Sequence, residues 1–173
     1  MSMQPANMDE MDDGFLEVND LDWFAFDLEG RLHHFATGGT GTVPKATTAS
    51  ISRWEKTGSI VDELPDRFEV VVFDDRSSYE SEAGYQYAIR TFVAMARKGL
   101  YSHDVTPHGY RLIARPVEPC VCLRIEEQSR LLFPHGGLLY ADDGVTLLNR
   151  EIAQLVLPEA GAPFAPVFEI ADD

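Results

Sequence analysis

Apolar positions along this chain change their period several times, and each change marks a different kind of element. Residues 21–28 are crowded with apolar and aromatic side chains (Trp23, Phe24, Phe26), and 32–36 resume that character after Glu29-Gly30. Two such runs joined by a glycine-bearing connection predict a β-hairpin, because tight hairpin loops favour a residue that accepts positive φ. The run Thr37-Gly-Gly-Thr-Gly-Thr-Val-Pro44 then breaks the pattern. Its proline suits the first turn of a helix, expected over 45–56 and ended by Thr57-Gly58, with a further turn at 60–64.

Residues 67–73 contain Phe68, Val70, Val71, Val72 and Phe73, β-branched or aromatic without helical spacing. They predict a strand buried on both faces. A helix follows over 79–98: Tyr85, Ile89, Phe92, Val93 and Ala96 form a stripe at helical spacing, Ser77 or Ser78 can cap it, and Arg97-Lys98-Gly99 closes it. That stripe predicts a core-facing helix. Strands are expected at 100–104 and 110–115, then at 121–125, 131–133, 138–140 and 145–148, with Asp142-Asp143-Gly144 as a hairpin turn. A short helix at 149–156, an irregular stretch at 158–166 and an extended 167–170 complete the chain. The sum is an α+β fold, a mostly antiparallel sheet with two main helices packed on one face.

Charge adds an asymmetry that the hydrophobic pattern does not show. The first thirty residues hold nine acidic side chains and no Lys or Arg, in a chain of 173 residues with net charge −15. A field of that sign repels nucleic acid and anionic lipid and attracts basic protein surfaces. With 45% hydrophobic residues, one packed domain over 20–173 is expected, preceded by an acidic, mobile segment over 1–19. No basic and apolar leader precedes residue 30 and no apolar run approaches a membrane span of about 20 residues, which predicts a cytoplasmic protein with no membrane partner. Cys120 and Cys122 alternate in an extended segment and read as small apolar thiols of a reducing compartment.

Motifs for chemistry are sparse. Gly38, Gly39 and Gly41 before a helix start have the makings of an anion nest, yet the spacing matches neither G-x-x-x-x-G-K-[ST] nor G-x-G-x-x-G. His33 and His34 would face opposite ways on a strand. A metal site would have to be gathered from separate segments, such as His33, His103 and Asp104, and no H-E-x-x-H or C-x-x-C spacing supports one. There is no G-x-S-x-G elbow. The pairs Asp74-Asp75, Glu126-Glu127 and Asp142-Asp143 sit beside turn signals and read as solvated charge. Neither a catalytic residue nor a cofactor is therefore assigned.

The segments DLDWFAFDLEGRLHHF (20–35), ARKGLYSHD (96–104) and YRLIARP (110–116) resemble a family of small uncharacterised bacterial proteins. Members open with a D-W-F-A-x-D hairpin and follow a helix with R-G-L-Y, an architecture loosely associated with immunity proteins of polymorphic toxin systems. The resemblance implies a non-catalytic domain that neutralises a cognate toxin by direct binding, and it carries over no functional residue. A small acidic domain suits that task, since opposite charge speeds encounter and aromatic anchors supply the interface core. The partner-binding candidates are Asp9, Glu10, Asp12, Asp13, Asp20 and Asp22, with Trp54 and Tyr101 as anchors; Trp23 is read first as core. Alternatives are an acidic mimic of nucleic acid that inhibits a DNA- or RNA-binding protein, and a small ligand-binding or enzymatic domain using loop 38–41. Aromatic surfaces equally suit a homo-oligomer.

Overall fold

A computed structural model describes residues 8–118, 125 and 127–159. The hairpin forms where the sequence places it: β1 (Asp22–Phe26) pairs antiparallel with β2 (Leu32–Ala36), Trp23 opposite Phe35 and Ala25 opposite His33. Asp27 organises the connection, its Oδ1 accepting from the backbone N–H groups of Glu29 and Arg31, both at 2.9 Å, while Gly30 adopts φ 80°.

Ahead of the hairpin, α1 (Asp13–Val18) is capped by Asp12, whose carboxylate accepts from Phe15 N at 2.8 Å. The helix expected at 45–56 is two helices, α2 (Lys45–Thr48) and α3 (Ile51–Asp62). The break falls at Ser50, which has extended φ/ψ and caps α3 by accepting from Arg53 N. Gly58 does not end α3. Four residues past it the helix is still intact, because Val61 is fully buried and packs against Phe24, Phe26 and Leu32 of the sheet.

The strand expected at 67–73 shortens to β3 (Val70–Val72), and its three valines are half-buried rather than enclosed. Among the described residues β3 pairs only with β5 (Gly109–Pro116), so no described strand lies on its other side to bury it. A 3₁₀ turn (Arg76–Ser78) precedes α4 (Glu82–Arg97), and Ser81 supplies the cap, accepting from Gly84 N at 3.0 Å. β4 (Tyr101–Thr106) runs parallel to β2 and antiparallel to β5, with a bulge between Ser102 and His103. The sheet order is β1-β2-β4-β5-β3, and β6 (Thr146–Leu148) pairs with β5 beside β3. Among the described strands β2–β4 is the one parallel pair, so the mixed sheet is mostly antiparallel.

Strand alternation divides the core in two. On one face Phe24, Phe26 and Leu32 meet Ile60 and Val61 of α3 and Met95 of α4, so both main helices cover the same side. Opposite, Trp23 stacks on Phe35 at 4.1 Å with Tyr110 edge-on to both, under Leu138, Leu147, Ile152 and Leu155. This second cover comes from α6 (Asn149–Ala153), β6 and irregular chain. The strands expected at 131–133 and 138–140 do not form there. After α5 (Glu127–Arg130) the chain turns and meets the β1 edge at one point, a parallel bridge of His135 with Phe26 in which Phe26 N donates to Pro134 O at 2.8 Å, while Phe133 and Leu138 on either side of it are buried against the two faces of the sheet. The expectations for residues 121–124, 160–166 and 167–170, and both cysteines, lie outside the described residues.

Candidate interaction surface

The acidic segment is tied to α3. Asp9 accepts at its backbone from Ile51 N at 2.6 Å, and its carboxylate takes Ser50 Oγ at 2.5 Å, Ser52 N at 2.9 Å and Ser52 Oγ. An anion here meets the positive end of a helix dipole, and the bonds from Ser50 and then Ser52 hold the Asp9 carboxyl below its ordinary range. Met11 is buried and its N–H donates to Thr48 O. Asp9 is thus occupied as a helix cap, whereas Glu10, Asp12, Asp13, Glu17 and Asp20 are exposed.

These exposed carboxylates border an aromatic pair. Phe15 of α1 meets Trp54 of α3 edge to face at 6.1 Å, both rings are half-buried, and Trp54 Nε1 donates to the backbone carbonyl of Asp22 at 2.6 Å. The carboxylate of Asp22, partly exposed, lies 3.3 Å from His34 Nε2. The acidic field continues along the sheet end to Asp104. Burial raises its pKa first, and the charges of Asp74 and Asp20 raise it further. Arg111, 3.3 Å from Asp74, is the cation that faces this group.

Tyr101 does not join this surface. It is 5% exposed, because its position on β4 opposite His33 turns the ring into the covered face of the sheet, under the Arg31 guanidinium at 5.3 Å. Trp23 is core, as its place in the hairpin pattern implies.

The glycine-rich loop also has its polar groups engaged. Thr40 N and Gly41 N donate to Thr37 O, Gly39 N donates to Thr37 Oγ1, and Thr37 is itself buried. Gly38 and Gly39 take positive φ to make the turn. At Gly41 the loop passes so close to the Tyr110 hydroxyl that a Cβ would collide with it. Two of the three glycine amides that would form an anion nest, those of Gly39 and Gly41, are therefore spent inside the turn, and α2 behind them is one turn long.

A buried polar row went unforeseen. Asp27 accepts from His33 Nε2 at 2.9 Å and Arg31 Nε at 2.6 Å. Burial pushes the Asp27 carboxyl up, but the His33 and Arg31 partners outweigh it and hold it at about 2. The rings of His33 and His103 stack at 5.3 Å. His103 Nδ1 donates to His34 O, which leaves Nε2 to accept from the Tyr140 hydroxyl at 2.8 Å. Burial lowers the pKa of both histidines, so both are neutral. Asp104, next along β4, points to the other face, so the set His33, His103 and Asp104 does not converge. Among the described residues no group of three or more His, Cys, Asp or Glu is placed to hold a metal ion. On the helix-covered face, Asp22, His34 and Ser102 form a line of acid, imidazole and hydroxyl, with Ser102 Oγ 2.6 Å from His34 Nδ1. Ser102 and His34 are both 0% exposed, so the hydroxyl is out of reach of a substrate. The signal for these partners lay in pairs such as Asp27 and His33, but their meeting depends on strand register.

No known family, curated protein or solved structure matches the chain. Function therefore has to be argued from the surface itself. No helix among the described residues is long and apolar enough to cross a membrane.

Proposed function

We propose that this chain is a non-catalytic protein-binding domain that engages a basic protein surface, and specifically an immunity protein that neutralises a toxin in the cytoplasm by direct binding. One observation carries this reading: exposed carboxylates of α1 and Asp20 flank a half-buried Phe15–Trp54 pair. An aromatic anchor inside a charged rim is the usual anatomy of a binding hot spot, in which the rim steers and the anchor holds. The Asp20, Asp74 and Asp104 cluster supports a cationic partner side chain, since such a charge relieves the repulsion that raises Asp104. The resemblance of 20–116 to immunity-type proteins supports the toxin as that partner.

The test is capture from the native host lysate on tagged full-length protein, washed at low and then high salt, beside a triple variant Asp13→Lys, Glu17→Lys, Asp20→Lys. A single partner that survives high salt on the wild type is expected, with the triple variant slowing its association about tenfold or more. Loss of a broad set of basic proteins at high salt would point to nucleic-acid mimicry instead. Equal capture by both proteins would remove the acidic rim from the interface.

A further inference from the structure

Among the described residues β3 ends its side of the sheet, and its hydrogen bonds reveal which of its backbone groups are spent. Phe73 N donates to Ile113 O at 2.7 Å and Val117 N to Glu69 O at 2.8 Å, with Val71 opposite Arg115 between them. Antiparallel ladder bonds recur at every second residue, so Glu69, Val71 and Phe73 face β5. The N–H and C=O groups of Val70 and Val72 point the other way, and none of the described residues takes them in a backbone bond.

Beside that edge runs an open groove of about 500 Å³, with Phe68, Val70 and Val72 on one wall and Tyr85, Ile89 and Val93 of α4 on the other. It continues into a hollow of about 240 Å³ along α4 past Arg90 and Arg97. The apolar stripe of α4 is consequently only part covered: Ile89 and Ala96 are buried, while Tyr85, Phe92 and Val93 stay half-exposed. An unpaired strand edge next to an apolar helix wall is what strand-addition recognition requires, with main-chain bonds for affinity and a groove for every second side chain.

We propose that the β3–α4 groove receives an extended segment of a partner protein as an added strand, apolar at alternate positions and acidic at its flanks. The charge preference follows from the rim. Arg67, Arg90 and Arg97 are exposed there, against Glu69 and an Asp66 already matched by Lys98 at 3.8 Å. In a chain of net charge −15, arginine here outnumbers unmatched carboxylate. Among the described strands β3 and β1 are opposite edges of the sheet, so this site is separate from the Phe15–Trp54 pair and the α1 carboxylates beside β1 and does not depend on their partner; of the acidic cluster only Asp74, one residue past Phe73, lies near it.

The probe is a random dodecapeptide library displayed on phage, panned against the full-length protein and, in parallel, against Val72→Pro. Proline at Val72 removes an N–H that points off the sheet and exchanges one apolar groove-wall side chain for another, at a position where edge strands tolerate it. Enrichment of peptides with alternating apolar residues and acidic flanks on the wild type is expected. A synthetic consensus peptide should bind Val72→Pro at least about tenfold more weakly. Arg97→Glu, which leaves the strand untouched, should lose a similar factor for the acidic peptide and gain for a lysine-flanked one. Enrichment that is equal on Val72→Pro, peptides that are basic, or no enrichment at all would overturn the proposal. So would a concentration-dependent dimer in sedimentation that Val72→Pro dissolves, since a second copy would then fill the edge.

Discussion

Tyr110 shows how one side chain closes the buried face of the sheet. Its hydroxyl accepts from Trp23 Nε1 at 3.2 Å and donates to Thr42 O at 2.8 Å, joining β5 to the hairpin and to the glycine-rich loop. Burial raises its pKa, so it acts as a neutral hydrogen-bonding group. Tyr110→Phe keeps the ring stack but leaves Trp23 Nε1, in a fully buried residue, without its acceptor. A buried donor left unpaired costs about 1–3 kcal/mol, so the urea midpoint should fall by the corresponding amount with an unchanged m-value. An unaffected midpoint would mean that water or relaxation replaces the bond. Tyr110 was legible as a strand residue from its neighbours, yet its partners lie 87 and 68 positions away. No local spacing announces them.

At the scale of elements, the hairpin, the long helix and the β4–β5 pair were legible because each is set by contacts near in sequence. α3 was misjudged at both ends for the opposite reason. It begins at Ser50 because Asp9 completes its cap from 41 residues upstream, and it passes Gly58 because tertiary burial of Val61 outweighs the glycine's conformational cost. Between 131 and 140 the strands that the sequence predicts do not form because, apart from the single bridge of His135 to Phe26, the apolar residues there serve to bury side chains against the sheet. Gly58 gives a direct check. It lies inside α3 at ordinary negative φ, and a Cβ there would meet nothing within 4 Å. Gly58→Ala should therefore raise stability by about 0.5–1 kcal/mol through the unfolded chain's lost freedom. If the glycine instead ended a helix as the sequence suggests, the same change would destabilise, so the sign of the shift in melting temperature decides between them. The acidic rim was equally legible from composition. The β3–α4 groove was not, because it exists only through the register that leaves Val70 and Val72 facing outward.

For the whole molecule, the excess of carboxylates and the buried histidines respond to acid in opposite directions, and magnitudes decide which governs near neutrality. An ordinary carboxylate ionises at about pH 4, well below the range in which imidazole titrates. His33 and His103 behave differently: burial holds both below their ordinary value of 6.5. Below that value the unfolded chain binds protons that the folded chain refuses, and stability must fall as pH falls. Each such histidine can contribute at most about 1.4 kcal/mol per pH unit, so stability should decline as pH falls below about 6.5, with the strongest contribution from His103, the ring held well below its ordinary value, and with His33 and His135 acting in the same direction. The Asp27 carboxyl has the depressed pKa of an ion-paired acid, so its own contribution is retained above 3.8 and lost only as pH approaches 2. It leaves the histidine window undisturbed. Urea unfolding followed at pH 7.5, 6.5 and 5.5 (values about one unit apart across that window) should thus show a plateau and then a decline, which His103→Gln should make visibly shallower. A stability that stays level or rises over that interval would mean that the two rings accept protons in the folded state. The stacked row from Asp27 to Tyr140 would then be an ionisable core, not a neutral one.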